Sequence, residues 1–137
     1  MTDIAAGLVL VDTSAWICFF ARTGYADIKT CIALLLDEHR VAISGPIALE
    51  LLQGCRSNKE REKLEAQFHG LHWLPLEDRL WYEAGRLAFR LRRLRITVGA
   101  MDALIAALSE ANEVPLLQRD SDFARIARHT GLRLLTP

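Results

Sequence analysis

The chain has 137 residues, 51% of them apolar and 25% charged, and its 17 basic residues balance its 17 acidic ones. This size and composition predict one folded domain over residues 1–137 and exclude a disordered chain. The neutral balance excludes a protein whose main business is to wrap nucleic acid, though not an enzyme that handles it locally, and no apolar run approaches the roughly 18 residues of a membrane span.

The opening MTDIAAGLVLV has no basic region and carries Asp3, so no secretion leader is expected. Cys18, Cys31 and Cys55 are odd in number and widely spaced among apolar neighbours. They read as reduced core thiols, in keeping with a cytoplasmic protein.

Residues 8–12 form a short apolar run typical of an interior parallel strand, with Asp12 at its C-terminal tip. Thr13 or Ser14 can cap the helix that follows, which carries Trp16, Ile17, Phe19 and Phe20 and ends at Arg22-Thr23-Gly24. Residues 25–38 predict a second helix, and Val41 to Ile43 a second strand. Ser44-Gly45-Pro46 is a helix start, because proline loses nothing in a first turn. That helix contains Glu50 among Leu49, Leu51 and Leu52 and stops near Gly54.

Asn58 to Phe68 alternates charge at helical spacing, and His72 to Leu74 predicts a third strand. Residues 77–94 give the longest helical pattern, with Leu80, Trp81, Ala84, Leu87, Ala88, Leu91 and Leu94 as one apolar stripe. Its other faces carry Arg86, Arg90, Arg92 and Arg93, and Arg95 follows. Residues 101–111 predict a helix packed on most sides. Val114 to Leu117 is a fourth strand, Ser121 to His129 a short helix, and Leu132 to Leu135 a last strand. Strands alternating with helices predict an α/β fold with a mainly parallel sheet of four to five strands and helices on both faces.

Open parallel sheets build their sites beyond the carboxyl ends of the strands. Asp12 falls at such an end, and Asp120 follows the fourth strand within a few residues. Glu50 lies about one turn into the helix after the second strand, and Asp102 in the first turn of the helix before the fourth. All can reach one edge of one sheet. Each also has a structural explanation. Asp12 suits a helix cap, Glu50 or Asp102 could pair with an arginine, and Asp120 and Asp122 sit where a cap belongs. Asp3, Asp27, Asp37 and Asp78 occupy surface-like contexts and are set aside. Converging carboxylates repel unless positive charge offsets them, and hard oxygen ligands suit Mg²⁺ or Mn²⁺. The histidines and cysteines lack zinc-ligand spacing. Arg90, Arg92, Arg93 and Arg95 make the most basic patch and are candidate contacts for a phosphate backbone, or equally a solvated helix face. Ser14 is a further candidate contact, or a cap.

VDTSAWI with Asp12, ALELLQG with Glu50 and Gly54, MDALIAAL with Asp102 and LLQRDSDF with Asp120 follow in order across residues 8–135. Together they resemble the four motifs of the PIN domain family, and within it the VapC-type toxins of bacterial toxin–antitoxin pairs. One position departs: the family often has threonine two residues before the last acid, where this chain has Gln118, and Asp122 is then a second choice at that position. The resemblance implies a three-layer α/β/α sandwich and a Mg²⁺- or Mn²⁺-dependent endoribonuclease cutting tRNA or mRNA. Asp12, Glu50, Asp102 and Asp120 would hold the metal. It further implies a homodimer, a cognate antitoxin that neutralises the chain, and operator DNA contacted through the antitoxin complex. The acids alone leave open a non-catalytic interaction domain with a vestigial site, or a DNA-directed metal nuclease.

Overall fold

A computed structural model describes residues 7–137. The reading of the chain's start, including Asp3, lies outside them. The elements are β1 (Val9–Val11), α1 (Thr13–Phe20), α2 (Ala26–Asp37), β2 (Val41–Ile43), α3 (Gly45–Gln53), α4 (Asn58–Phe68), β3 (His72–Trp73), α5 (Asp78–Arg93), α6 (Ala100–Ala111), β4 (Leu116–Leu117) and α7 (Ser121–Ala127). The four strands form one sheet in the order β3-β2-β1-β4, with every pairing parallel. Helices cover both faces, giving the expected three-layer α/β/α sandwich.

The two central strands explain themselves. Val9, Leu10, Val11, Val41, Ala42 and Ile43 are all buried, as residues between two helical layers must be. Leu10 pairs with both Ala42 and Leu116, so β1 is the spine of the sheet. The last predicted strand, Leu132 to Leu135, shrinks to a single parallel bridge between Leu134 and Leu116. The fourth strand is likewise shorter than expected, because Val114 is drawn into the end of α6. Its amide donates to the Ser109 carbonyl, and the Ser109 hydroxyl donates to the Val114 carbonyl.

Helix α6 is sealed from Ala103 to Ser109, as its alanine-rich sequence predicts, and α5 packs along it. The α5 stripe is narrower than the sequence suggests. Leu80, Ala84, Leu87 and Leu91 are buried at helical spacing, but Trp81 and Leu94 are each more than half exposed. Residue 81 sits about 100° around the helix from residue 80, off the buried line. Trp16, by contrast, is buried and stacks on Phe20. The three cysteines are free thiols, with Cys18 buried. Among the described residues no helix is long and apolar enough to cross a membrane.

Candidate metal centre

The site begins where β1 ends. The Asp12 amide donates to the carbonyl of Leu117, the last residue of β4, at 3.0 Å, so the tips of the two strands are fastened side by side. The chain turns directly into α1, and Asp12 rather than Thr13 or Ser14 is its cap. The Asp12 Oδ2 accepts both the Ser14 amide (3.0 Å) and the Ser14 hydroxyl (2.6 Å). The same hydroxyl accepts the Arg119 amide at 2.9 Å. Ser14 thus ties the buried Asp12 carboxylate to the loop after β4, and its one proton is committed to Asp12. Burial pushes the Asp12 pKa up, the Ser14 hydroxyl and the Ser14 and Thr13 amides oppose that rise, and the Asp120 charge adds to it.

That loop carries the next two acids. Asp120 caps α7 by accepting the Asp122 amide at 2.9 Å. Gln118, the departure from the family pattern, is a local brace: its Oε1 accepts the Asp120 amide at 2.5 Å. Arg119 forms an ion pair with Asp27 at the start of α2, so Asp27, set aside as a surface residue, anchors the loop. Asp122 is paired with Arg125 at 2.5 Å, and Arg125 also donates to the Thr97 carbonyl at 3.0 Å.

Asp102 stands in the first turn of α6. Carboxylate oxygens of Asp102, Asp120 and Asp122 lie within 4.8 Å of one another, a separation that one cation could span. Burial first, then the charges of Asp120, Asp12, Asp122 and Glu50, push the Asp102 pKa up to about 7. Glu50 completes the group from α3, where its Oε1 accepts the Thr13 hydroxyl at 2.9 Å. The leucines around Glu50 do not enclose it: Leu51 is buried, but Leu49 is 68% exposed and Glu50 itself faces solvent. Asp12, Asp102, Asp120 and Asp122 all stand at helix N-termini, where the partial positive charge of the helix end favours anions.

The structure therefore gathers all five predicted acids, although the closest oxygens are those of Asp102, Asp120 and Asp122 rather than of Asp12, Glu50 and Asp102. Arg92, Arg93 and Arg95 are exposed, Arg93 lies 6.0 Å from the Phe89 ring centre, and Arg90 makes a long contact to the His129 carbonyl at 3.5 Å. Among the described residues none of these four arginines forms an ion pair with a site acid. Beside Thr13 and Glu50 opens a groove of about 860 Å³, with Ile17, Phe20 and Leu64 on its walls and Arg56 and Lys63 at its rim. The sequence reading missed Thr13, Arg119 and Arg125 as site partners. The three-residue spacing of Asp122 and Arg125 on one helix was the legible signal for the last.

The family model for the PIN domain matches residues 9–129, which span every acid described above. The chain belongs to the PIN domain family. Ribonuclease VapC11 of Mycobacterium tuberculosis is 36% identical over 129 residues, covering 92% of this chain and 96% of the relative. This PIN domain is therefore of the VapC type. Its fold is shared by VapBC2 from Rickettsia felis, solved bound to a DNA fragment from its promoter (TM-score 0.74, 20% identity, 93% of this chain and 97% of that one). It is shared also by VapBC-5 of Mycobacterium tuberculosis, a member of the VapBC family of toxin–antitoxin systems (TM-score 0.64, 21% identity, 96% and 99%).

Proposed function

We propose that this PIN domain is a Mg²⁺- or Mn²⁺-dependent endoribonuclease toxin that hydrolyses phosphodiester bonds in RNA. The single observation that carries the reading is the acid cluster: Asp102, Asp120 and Asp122 hold carboxylate oxygens within 4.8 Å of one another, and burial, with the charges of these neighbours and of Asp12 and Glu50, pushes the Asp102 pKa up to about 7. Its donors are all carboxylate oxygens, with no nitrogen or sulfur among them, which fits a hard divalent cation. Such an ion, when bound, relieves the mutual repulsion of the acids and supplies Lewis-acid activation of water and of the scissile phosphate.

The remaining work falls to the protein. Asp102, Asp120 and Asp122, whose oxygens stand closest together, would hold the ion, with Asp12 and Glu50 beside them. Ser14 keeps Asp12 oriented and Thr13 does the same for Glu50. Arg90, Arg92, Arg93 and Arg95 attract the RNA backbone without fixing its sequence. Hydrolysis of this kind leaves 5′-phosphate and 3′-hydroxyl ends. The groove beside Glu50, apolar along Ile17, Phe20 and Leu64 and lined by charges of both signs, suits a cognate antitoxin segment, the solved relatives being toxin–antitoxin assemblies by name. We place the chain in a homodimer, with operator DNA contacted through the antitoxin complex.

The test is cleavage of end-labelled RNA by the purified chain in Mn²⁺ and in chelator, followed by end-group analysis. Metal-dependent 5′-phosphate products are expected. Cyclic phosphate ends formed equally well in chelator overturn the mechanism, and Mn²⁺ binding with no cleavage of RNA or DNA favours an interaction domain.

A further inference from the structure

Arg125 stands three residues after Asp122 on α7, and one guanidinium nitrogen holds two partners: Asp122 Oδ1 at 2.5 Å and the Thr97 carbonyl at 3.0 Å. Thr97 lies in the connection between α5 and α6, five residues before Asp102. Arg125 therefore bridges the two segments that bring Asp102, Asp120 and Asp122 together. Among the described residues it is the one cationic side chain in an ion pair with any of the five acids, since Arg119 is spent on Asp27. The pair is half-covered, the Asp122 side chain being 29% exposed and the Arg125 side chain 41%.

We infer that Arg125 is a resident counter-charge that sets the metal affinity of this centre: it steadies the acids before an ion binds and weakens the ion's hold afterwards. The inference rests on the metal-dependent reading above. Two physical effects give its sign. Five carboxylates in one pocket repel, and a fixed positive charge against one of them reduces that repulsion. A divalent ion entering the same pocket meets that positive charge and finds one Asp122 oxygen already engaged. A guanidinium that only oriented Asp122 would strengthen metal binding, so the two roles differ in direction.

The experiment is titration of Mn²⁺ into the metal-free chain, followed by calorimetry, with thermal unfolding in EDTA as a second readout. The set is wild type, Arg125→Met, Arg125→Lys, and Arg125→Met combined with Asp122→Asn. Arg125→Met is expected to unfold at lower temperature in EDTA yet bind Mn²⁺ on the order of twofold to fivefold more tightly, the range for a partly exposed charge. Arg125→Lys is expected to behave as wild type, and the double variant to lose the gain. Should Arg125→Met fail to fold, Arg125→Gln removes the charge while keeping a donor for Thr97, and the same gain is expected of it. Mn²⁺ binding by the charge-removed variant that is unchanged or weaker than wild type overturns the inference and leaves the metal centre standing. A wild-type chain that binds no Mn²⁺ overturns both.

Discussion

Asp102→Asn is expected to stabilise the metal-free protein while abolishing its activity. Asp102 carries a pKa of about 7 in the folded chain against an ordinary 3.8. That gap corresponds to about 4 kcal/mol at 1.36 kcal/mol per pH unit, and partial solvent screening reduces it to about 2 kcal/mol. The sign follows from proton binding. Below pH 3.8 Asp102 is protonated in both states and imposes no penalty. Between 3.8 and about 7 the folded chain holds a proton that the unfolded chain has released, so stability falls as pH rises through this window and levels off above it. Asparagine has no such slope. In EDTA at pH 8 the variant should therefore melt roughly 7 °C above wild type, with a smaller gap at pH 5. Thermal unfolding followed by circular dichroism at pH 5, 6, 7 and 8 reads this directly. Equal melting temperatures at pH 8, or a gap that closes as pH rises, would refute the burial and crowding of charge that raise the Asp102 pKa.

Asp12→Asn should keep the α1 cap, because asparagine caps as well as aspartate, so its stability should shift by less than about 1 kcal/mol while RNA cleavage drops by at least tenfold. Wild-type turnover by that variant would reduce Asp12 to a cap. Ser14→Ala removes the hydroxyl that joins Asp12 to the Arg119 amide, and urea unfolding should register a loss of about 1–3 kcal/mol. Replacing Arg90, Arg92, Arg93 and Arg95 together with Gln should weaken RNA binding and flatten its salt dependence, measured by fluorescence anisotropy from 50 to about 200 mM salt, without changing Mn²⁺ affinity. An unaltered salt slope would make the patch a solvated helix face.

Much of this protein was legible from local rules. Apolar runs bounded by helix starts located β1 and β2, and alanine-rich spacing marked α6 as a buried helix, because burial between layers leaves a residue-by-residue trace. The acids were legible for a related reason: Asp12 and Asp102 interrupt apolar sequence, where a carboxylate is costly unless something compensates it. Glu50 is legible by the same argument, although it and Leu49 face solvent while Ile47, Ala48 and Leu51 are buried. Where several local solutions compete, sequence gives less. Asp12, Thr13 and Ser14 can each cap a helix, and the selection of Asp12 comes from the strand that aims it and the hydroxyl that holds it.

Sequence by itself determined the alternation of strands and helices, the order of the four motifs and the choice of candidate acids, since these depend on residue type and near-neighbour spacing. Tertiary structure alone decided which oxygens stand closest, that Ser14 and Arg119 join α1 to the β4 loop, that Asp27 pairs with that loop, and that Arg125 reaches Thr97. Each of those contacts links residues far apart in the chain or depends on how two elements are docked. Its strength comes from distance and burial in three dimensions, which no local pattern of residues encodes.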